Sequence, residues 1–227
     1  YVIVAEGMRG RGSSQLNGWG DVTIDRDSLA GRGDSVSYSQ GDHDRITLTG
    51  NLASLVRRGV DSFSVNGTTV VLGLDGEALR SVEALGSGHI LGSTGEIVSD
   101  SASLEFADGK LVATRAWDRT NHAQVLASGY DVRGDSVAID TPDERLRELR
   151  VFGNGRLVEP DDSTAADSIA TPADSSVTPE STATATDSAA APVRNTMTGG
   201  RLTVRFVDYD SAGTLQSQLV DITAIGQ

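Results

Sequence analysis

Three histidines, His43, His89 and His122, are the side chains of this 227-residue chain best suited to metal or acid–base chemistry, and none has the neighbours that chemistry needs. His43 lies between Asp42 and Asp44, but adjacent side chains on an extended segment diverge, and a closed metal site takes about four converging ligands. The absence of cysteine removes disulfides, thiolate ligands and thiol nucleophiles. No Gly-x-Ser-x-Gly elbow with a plausible triad is present. The glycine-rich runs Arg9 to Gly12 and Gly86 to Gly92 lack the lysine and helix of a phosphate loop. The aspartates follow neither a calcium-loop nor a nonapeptide pattern. The expectation is therefore no catalytic residue, no metal, no cofactor, and a protein that is not an enzyme. Arg32-Gly33-Asp34 and Arg133-Gly134-Asp135 match an adhesion tripeptide by letter. Both occupy the same place in an internal repeat, where glycine turns the chain and aspartate bonds nearby backbone as strands begin. Trp19 and Trp117 are suited to sugar stacking or a lipid interface, but read more simply as caps at the end of a sheet.

The elements that must position these residues are strands. The chain has 26 glycines, only 4% aromatics and abundant serine and threonine, the composition of many short strands joined by turns. Its net charge of −13 argues against nucleic-acid binding. Seven of the acidic residues fall between Glu159 and Val193, leaving −6 for the remainder. A membrane span needs about 20 apolar residues in a row, and uncharged stretches such as Thr68 to Leu74 are far shorter. The Ser/Thr/Ala/Asp/Pro tract from Pro160 to Thr198 has no hydrophobic period and cannot bury enough surface to offset its ordering entropy. It reads as a disordered acidic insertion, a linker or long loop. This divides the chain into a β-repeat body over 1–159, the tract over 160–198, and further strands over 199–227 that complete the body. A chain beginning at Tyr1, with neither Met nor a signal-like segment, reads as a processed form.

Period-2 alternation runs through Val22 and Ile24, Val36 and Tyr38, Ile46 and Leu48, Val70 to Leu74, Leu104 and Phe106, Val137 and Ile139, and Leu202 to Phe206. The segment around Leu146 and Leu149 has a weak helical spacing but is under three turns. A strand pair, Ser136 to Ile139 with Leu146 to Phe152, fits better. Self-comparison finds Arg-Gly-Asp-Ser-Val at residues 32–36 and again at 133–137, each copy followed by an alternating segment that ends in Gly-Asn, at Gly50-Asn51 and Gly153-Asn154. The chain reads as roughly five strand-turn-strand units. Such units cannot bury an apolar face alone, so they must stack around one continuous interior, leaving end units with open edges.

These Gly-Asp-Ser-Val units followed by a strand ending in Gly-Asn resemble the OstA-like family, which includes the LptA, LptC and LptD N-terminal domain types of lipopolysaccharide-transport protein. The matching stretches are Gly18 to Leu55 and Tyr130 to Val158, with weaker matches from Leu202 to Gly226. The resemblance implies an all-β, elongated V-shaped β-jellyroll lying in the periplasm or cell envelope. It also implies a groove for the acyl chains of a glycolipid and end-to-end stacking with other OstA-like domains or with itself through the open edges. The residues expected to line that groove are Val22, Ile24, Val36, Tyr38, Ile46, Leu48, Val70, Leu72, Leu104, Phe106, Val137, Ile139, Leu202, Val204 and Phe206. The alternative is a structural or surface β-solenoid that assembles edge to edge into fibres or mediates adhesion, with a closed, dry core.

Overall fold

A computed structural model describes the chain except residues 13, 60–61, 93–94, 119, 128, 143–144, 160–195, 212–213 and 227. The described residues form fifteen strands in one hydrogen-bonded sheet. They are β1 Val2–Val4, β2 Gly7–Arg11, β3 Gln15–Arg26, β4 Leu29–Ser39, β5 Asp44–Arg57, β6 Phe63–Asp75, β7 Ala78–Gly92 and β8 Gly95–Ala107. After these come β9 Lys110–Trp117, β10 Ala123–Ala127, β11 Tyr130–Gly134, β12 Ser136–Asp140, β13 Glu148–Val158, β14 Thr196–Ser211 and β15 Thr214–Ile225.

The pairing is simpler than the count. β9 and β10 both run antiparallel to β8, one along each half of it, and β12 and β11 divide β13 in the same way. β1 and β2 likewise share β3. Each such couple is one long strand interrupted at its middle, so the chain makes twelve antiparallel passes, each beside the last. Tight turns such as Asp108-Gly109, with φ of 51° and 77°, join them; positive φ at both residues matches the twist of a two-residue hairpin.

Every pass except β15, which pairs only with Arg201–Ser211 of β14, is also broken in register at its middle. The shifts fall between Trp19/Val22, Arg32/Ser35, Thr49/Ala53, Asn66/Thr69, Leu85/Gly88 and Phe152/Gly155. At these positions stand Gly20-Asp21, Gly33-Asp34, Gly50-Asn51, Gly67-Thr68, Gly86-Ser87 and Gly153-Asn154, while Gly134-Asp135 separates β11 from β12. Such bulges bend a strand. Their combined effect is a fold through about half a turn. Gly95 and Phe106 lie on the same strand, β8, about 36 Å apart along it at 3.3 Å per residue. Yet Phe63, one pass beyond the partner of Gly95, meets Phe106 with ring centroids 5.5 Å apart. The sheet is therefore doubled over along a line of corners into two wings. Wing A holds the halves near β9 and β12, and wing B the halves near β10 and β11.

The expected all-β jellyroll of stacked strand-turn-strand units is what the chain forms, and the bend within a pass is a feature that reading did not contain. The two Arg-Gly-Asp copies sit at corners in mid-pass, not where strands begin. There the Asp34 carboxylate accepts the Asn51 backbone N–H at 3.1 Å, and Asp135 accepts from the Asn154 side-chain amide at 3.3 Å. Trp117 lies on the outer face beside the corner line, eight passes into the sheet, and so does not cap an end. The Ser136–Phe152 pairing is present, with Leu146 outside the strand. The acidic tract lies outside the described residues between 160 and 195. Thr196 to Thr198, which composition had placed within it, begin β14, where Met197 packs on the core and Thr196 partners Val158. β13 and β14, the strands on either side of it, pair antiparallel.

The corner tolerates almost no side chain. A Cβ on Gly134 would meet the Val151 side chain and come within 3.1 Å of the Gly153 carbonyl. Gly41, in an exposed turn, has only the His43 carbonyl near it, at 3.8 Å. Gly134→Val is expected to cost about 3 kcal/mol in urea unfolding, and Gly41→Ala less than about 0.5 kcal/mol.

Candidate functional site: an apolar wedge with a closed mouth

The inward side chains form rows that follow the register from pass to pass. Nearest the corner in wing A runs Val36, Leu48, Val70, Ala84, Ala102, Ala116, Val137, Val151 and Leu202. The next row outward is Tyr38, Ile46, Leu72, Val82, Leu104, Thr114, Ile139, Leu149 and Val204. Wing B answers with Ile24, Gly31, Leu55, Val65, Ile90, Ile97, Val125, Val132, Leu157 and Met197. At the wing tips stand Phe63, Phe106 and Phe206. Alanines 84, 102 and 116 in the row nearest the corner and aromatic residues at the tips give the middle passes a wedge-shaped section, and close packing requires that gradient where two sheets diverge.

Of the residues expected to line a groove, Val22, Ile24, Val36, Ile46, Leu48, Val70, Leu72, Leu104, Phe106, Val137, Ile139, Leu202, Val204 and Phe206 are all buried in one core cluster. Tyr38 is half-buried against it, its hydroxyl donating to Asp44 at 2.9 Å. That bond to a carboxylate raises the Tyr38 pKa. Only Val22 and Ile24 of this set fall on wing B. The wing B row from Leu55 to Leu157 escaped the sequence reading. Its signal was masked: inward Ile97 and Val125 stand next to exposed apolar Val98 and Leu126, which blurs the alternation, and the inward phase shifts after each corner.

The side of the wedge opposite the corners, its mouth, is closed by side chains. Arg57, the last residue of β5 at the tip of wing B, donates from Nη1 to the Gly109 carbonyl in the turn at the tip of wing A, at 2.8 Å. Its guanidinium also lies 6.0 Å from the centre of the Phe106 ring. Nearer the N-terminal end, Arg26 of wing B reaches Glu77 of wing A at 3.3 Å. Toward the other end Tyr130 meets Phe206 edge to face at 6.4 Å, and Leu146, on the connection between β12 and β13, is buried in the interior. No strand pairing crosses the mouth among the described residues.

Charged side chains are paired outside this interior. On the outer face of wing A, Arg45, Glu83, Glu105 and Arg80 border a cleft of about 510 Å³, and alternating ion pairs such as Arg45–Glu83 and Arg115–Glu105 run across the strands. His89 pairs with Glu96 at 2.8 Å on the outer face of wing B, and His122 Nδ1 lies 2.8 Å from Asp135 at the corner. Among the described residues no three His, Asp or Glu side chains gather as metal ligands, and no helix is long and apolar enough to cross a membrane. Asp118 closes the β9–β10 corner: its carboxylate accepts the backbone N–H groups of Asn121 and Thr120, both at 2.8 Å. Those bonds, the Asn121 one first, hold its pKa below the ordinary carboxylate value.

No family model matches the chain, and no curated protein matches it. Among solved structures it is similar to LptH, the LptA homologous periplasmic component of the lipopolysaccharide transport device from Pseudomonas aeruginosa. The similarity has 14% sequence identity and a TM-score of 0.44, and covers 53% of this chain and 83% of that one.

Because the native Asp118 carboxyl releases its proton more readily than an unfolded one, its contribution is present above the unfolded pKa and lost as pH falls through the lower native value. Asp118→Ala is therefore expected to be less stable than the parent at pH 7 by about 1 kcal/mol. The gap should narrow in acid below the unfolded carboxylate value, as followed by urea midpoints across the two pH ranges.

Proposed function

We propose that the chain is a carrier for the acyl chains of an amphipathic glycolipid, acting as a periplasmic or envelope bridge that passes such lipids toward the outer membrane. The observation that carries this reading is the continuity of the apolar interior. One unbroken core cluster runs from β3 to β14, and among the described residues its two ends are bordered by side chains that are only partly buried. At one end Ile3 and Ala5 pack on the cluster while remaining partly exposed; at the other, Leu219 and Ile222 do the same. A globular core normally shields such residues, whereas a stack of similar units would make the seam continuous from one to the next. The Gly-Asp-Ser-Val resemblance to lipopolysaccharide-transport domains supports the same reading.

The energetics suit passage without a reaction. Each acyl methylene removed from water contributes about 0.8 kcal/mol. Within the wedge an acyl chain exchanges one set of apolar contacts for another, so movement along the rows is nearly level. Direction would come from an energised partner. The unpaired outer edges of β2 and β15, bonded on one side only among the described residues, offer backbone groups to a neighbouring OstA-like domain or a second copy. The same edges would serve the fibre-forming alternative, which requires no lipid.

Diazirine-bearing residues substituted one at a time for inward Leu48 or Leu104, and for outward Thr47 or Ser103, test the proposal in envelope preparations. Adducts with a glycolipid are expected at the inward positions at about tenfold the outward yield. Equal yields at both, with the protein folded by circular dichroism, would overturn the carrier reading.

A further inference from the structure

The two long sides of the wedge are held by different forces. Along the corners the backbone of every pass is continuous, so that side cannot part without breaking strands. Along the mouth the wings meet through side chains alone among the described residues. Over the passes from β5 to β9 the contacts across it include Arg57 donating to Gly109, its guanidinium 6.0 Å from the Phe106 ring centre, the Phe63–Phe106 contact and, at the β6–β7 turn, the Arg26–Glu77 pair. Nearer the C-terminal end the mouth is covered more firmly. There Leu146 drops into the core, and the Phe206 backbone N–H donates to the Arg147 carbonyl at 2.9 Å, tying β14 to the same connection.

We propose that the mouth between β5 and β9 is a lateral gate for the acyl chain, hinged on the corner line, with Arg57 as its latch. This rests on the carrier reading and adds to it the route by which lipid reaches the interior. A chain threading from an open end would have to displace buried side chains one row after another, whereas parting the wing tips exposes a whole inward row at once and lets the chain replace the lost contacts as it lies down. Arg57 suits a latch. It is half-buried, it spans the two tips, and it bonds a turn carbonyl instead of a carboxylate, so release leaves no buried charge unpaired. The Arg26–Glu77 pair adds little, because Glu77 is almost wholly exposed.

The chain has no cysteine, so a pair introduced at exposed Arg58 and Lys110, at opposite tips, is unique. The pair is bridged with a bifunctional maleimide whose spacer contains a disulfide, and uptake of a pyrene-acyl phospholipid from phosphatidylglycerol vesicles is followed by fluorescence. The bridged protein is expected to take up lipid at least about tenfold more slowly, with the rate restored when the spacer is reduced. Arg57→Gln should quicken uptake by up to roughly tenfold, the scale of one hydrogen bond from a charged donor, and Arg57→Lys should fall between. Spin labels at 58 and 110 should give a narrow distance distribution in the parent and a broad one in Arg57→Gln. Uptake by the bridged protein at the unbridged rate would overturn the gate, placing the route at the ends. If no form takes up lipid, the carrier reading fails and the spin-label distances alone decide the latch: an unchanged distribution in Arg57→Gln overturns it, and a broadened one upholds it.

Discussion

Everything in this molecule follows from the contact at the corner, where two neighbouring strands pinch so closely that a β-carbon has no room. A sheet of twelve passes left flat would have one face too many in water. Doubling it over buries one face of each half against the other, and that requires each pass that spans both halves to bend at the same height. In most passes glycine supplies the bend. At Gly153, φ of 68° places the backbone in the left-handed region, and a Cβ there would strike the Asp135 carboxylate. Polar residues at the corners then satisfy backbone groups that the broken ladder releases, as Asp34 does for Asn51 and Asp118 for Thr120 and Asn121.

The fold line sets the packing gradient, and the gradient sets where the interior can yield. Alanines at 84, 102 and 116 let the wings converge at the vertex, and phenylalanines at 63, 106 and 206 fill the space where they diverge. An aromatic ring buries on the order of 200 Å², so the tips contribute a large share of the cohesion between wings without any backbone bond across them. Water is a poor solvent for such a seam and an acyl chain is a good one. A closed interior and a lipid-bearing one are therefore compatible, provided the wings part on the side where only side chains hold them.

Much of the fold was legible because two chemical signals coincide. Alternation in Ile46 and Leu48 or Val70 and Leu72 marks an inward face, and the repeated Gly-Asp and Gly-Asn pairs mark the bends. What stayed hidden was that a bend lies within a pass, so Gly33-Asp34 read as the start of a strand and not as its middle. For the same reason wing B went largely unseen: the bulge shifts the phase by a residue, and inward Ile90 and Val125 stand beside exposed apolar Leu91 and Leu126, so no clean alternation marks them. Nothing local announces that Arg57 reaches Gly109, since the contact joins residues 52 apart through the doubling of the whole sheet. The tract after Val158 was recognisable by composition up to its last residues, where threonines at 196 and 198 resemble its Ser/Thr content but alternate around Met197 as a strand.

The central claim is that this wedge is occupied by acyl chains when the protein works. Native mass spectrometry of the protein from a bacterial envelope, with lipid extraction and sizing over a range of concentrations, addresses it most directly. The account predicts a bound species whose mass and extract identify a glycolipid, retained by folded protein. Lipid-free protein that grows into long filaments as concentration rises would contradict it and assign the fold to a structural assembly.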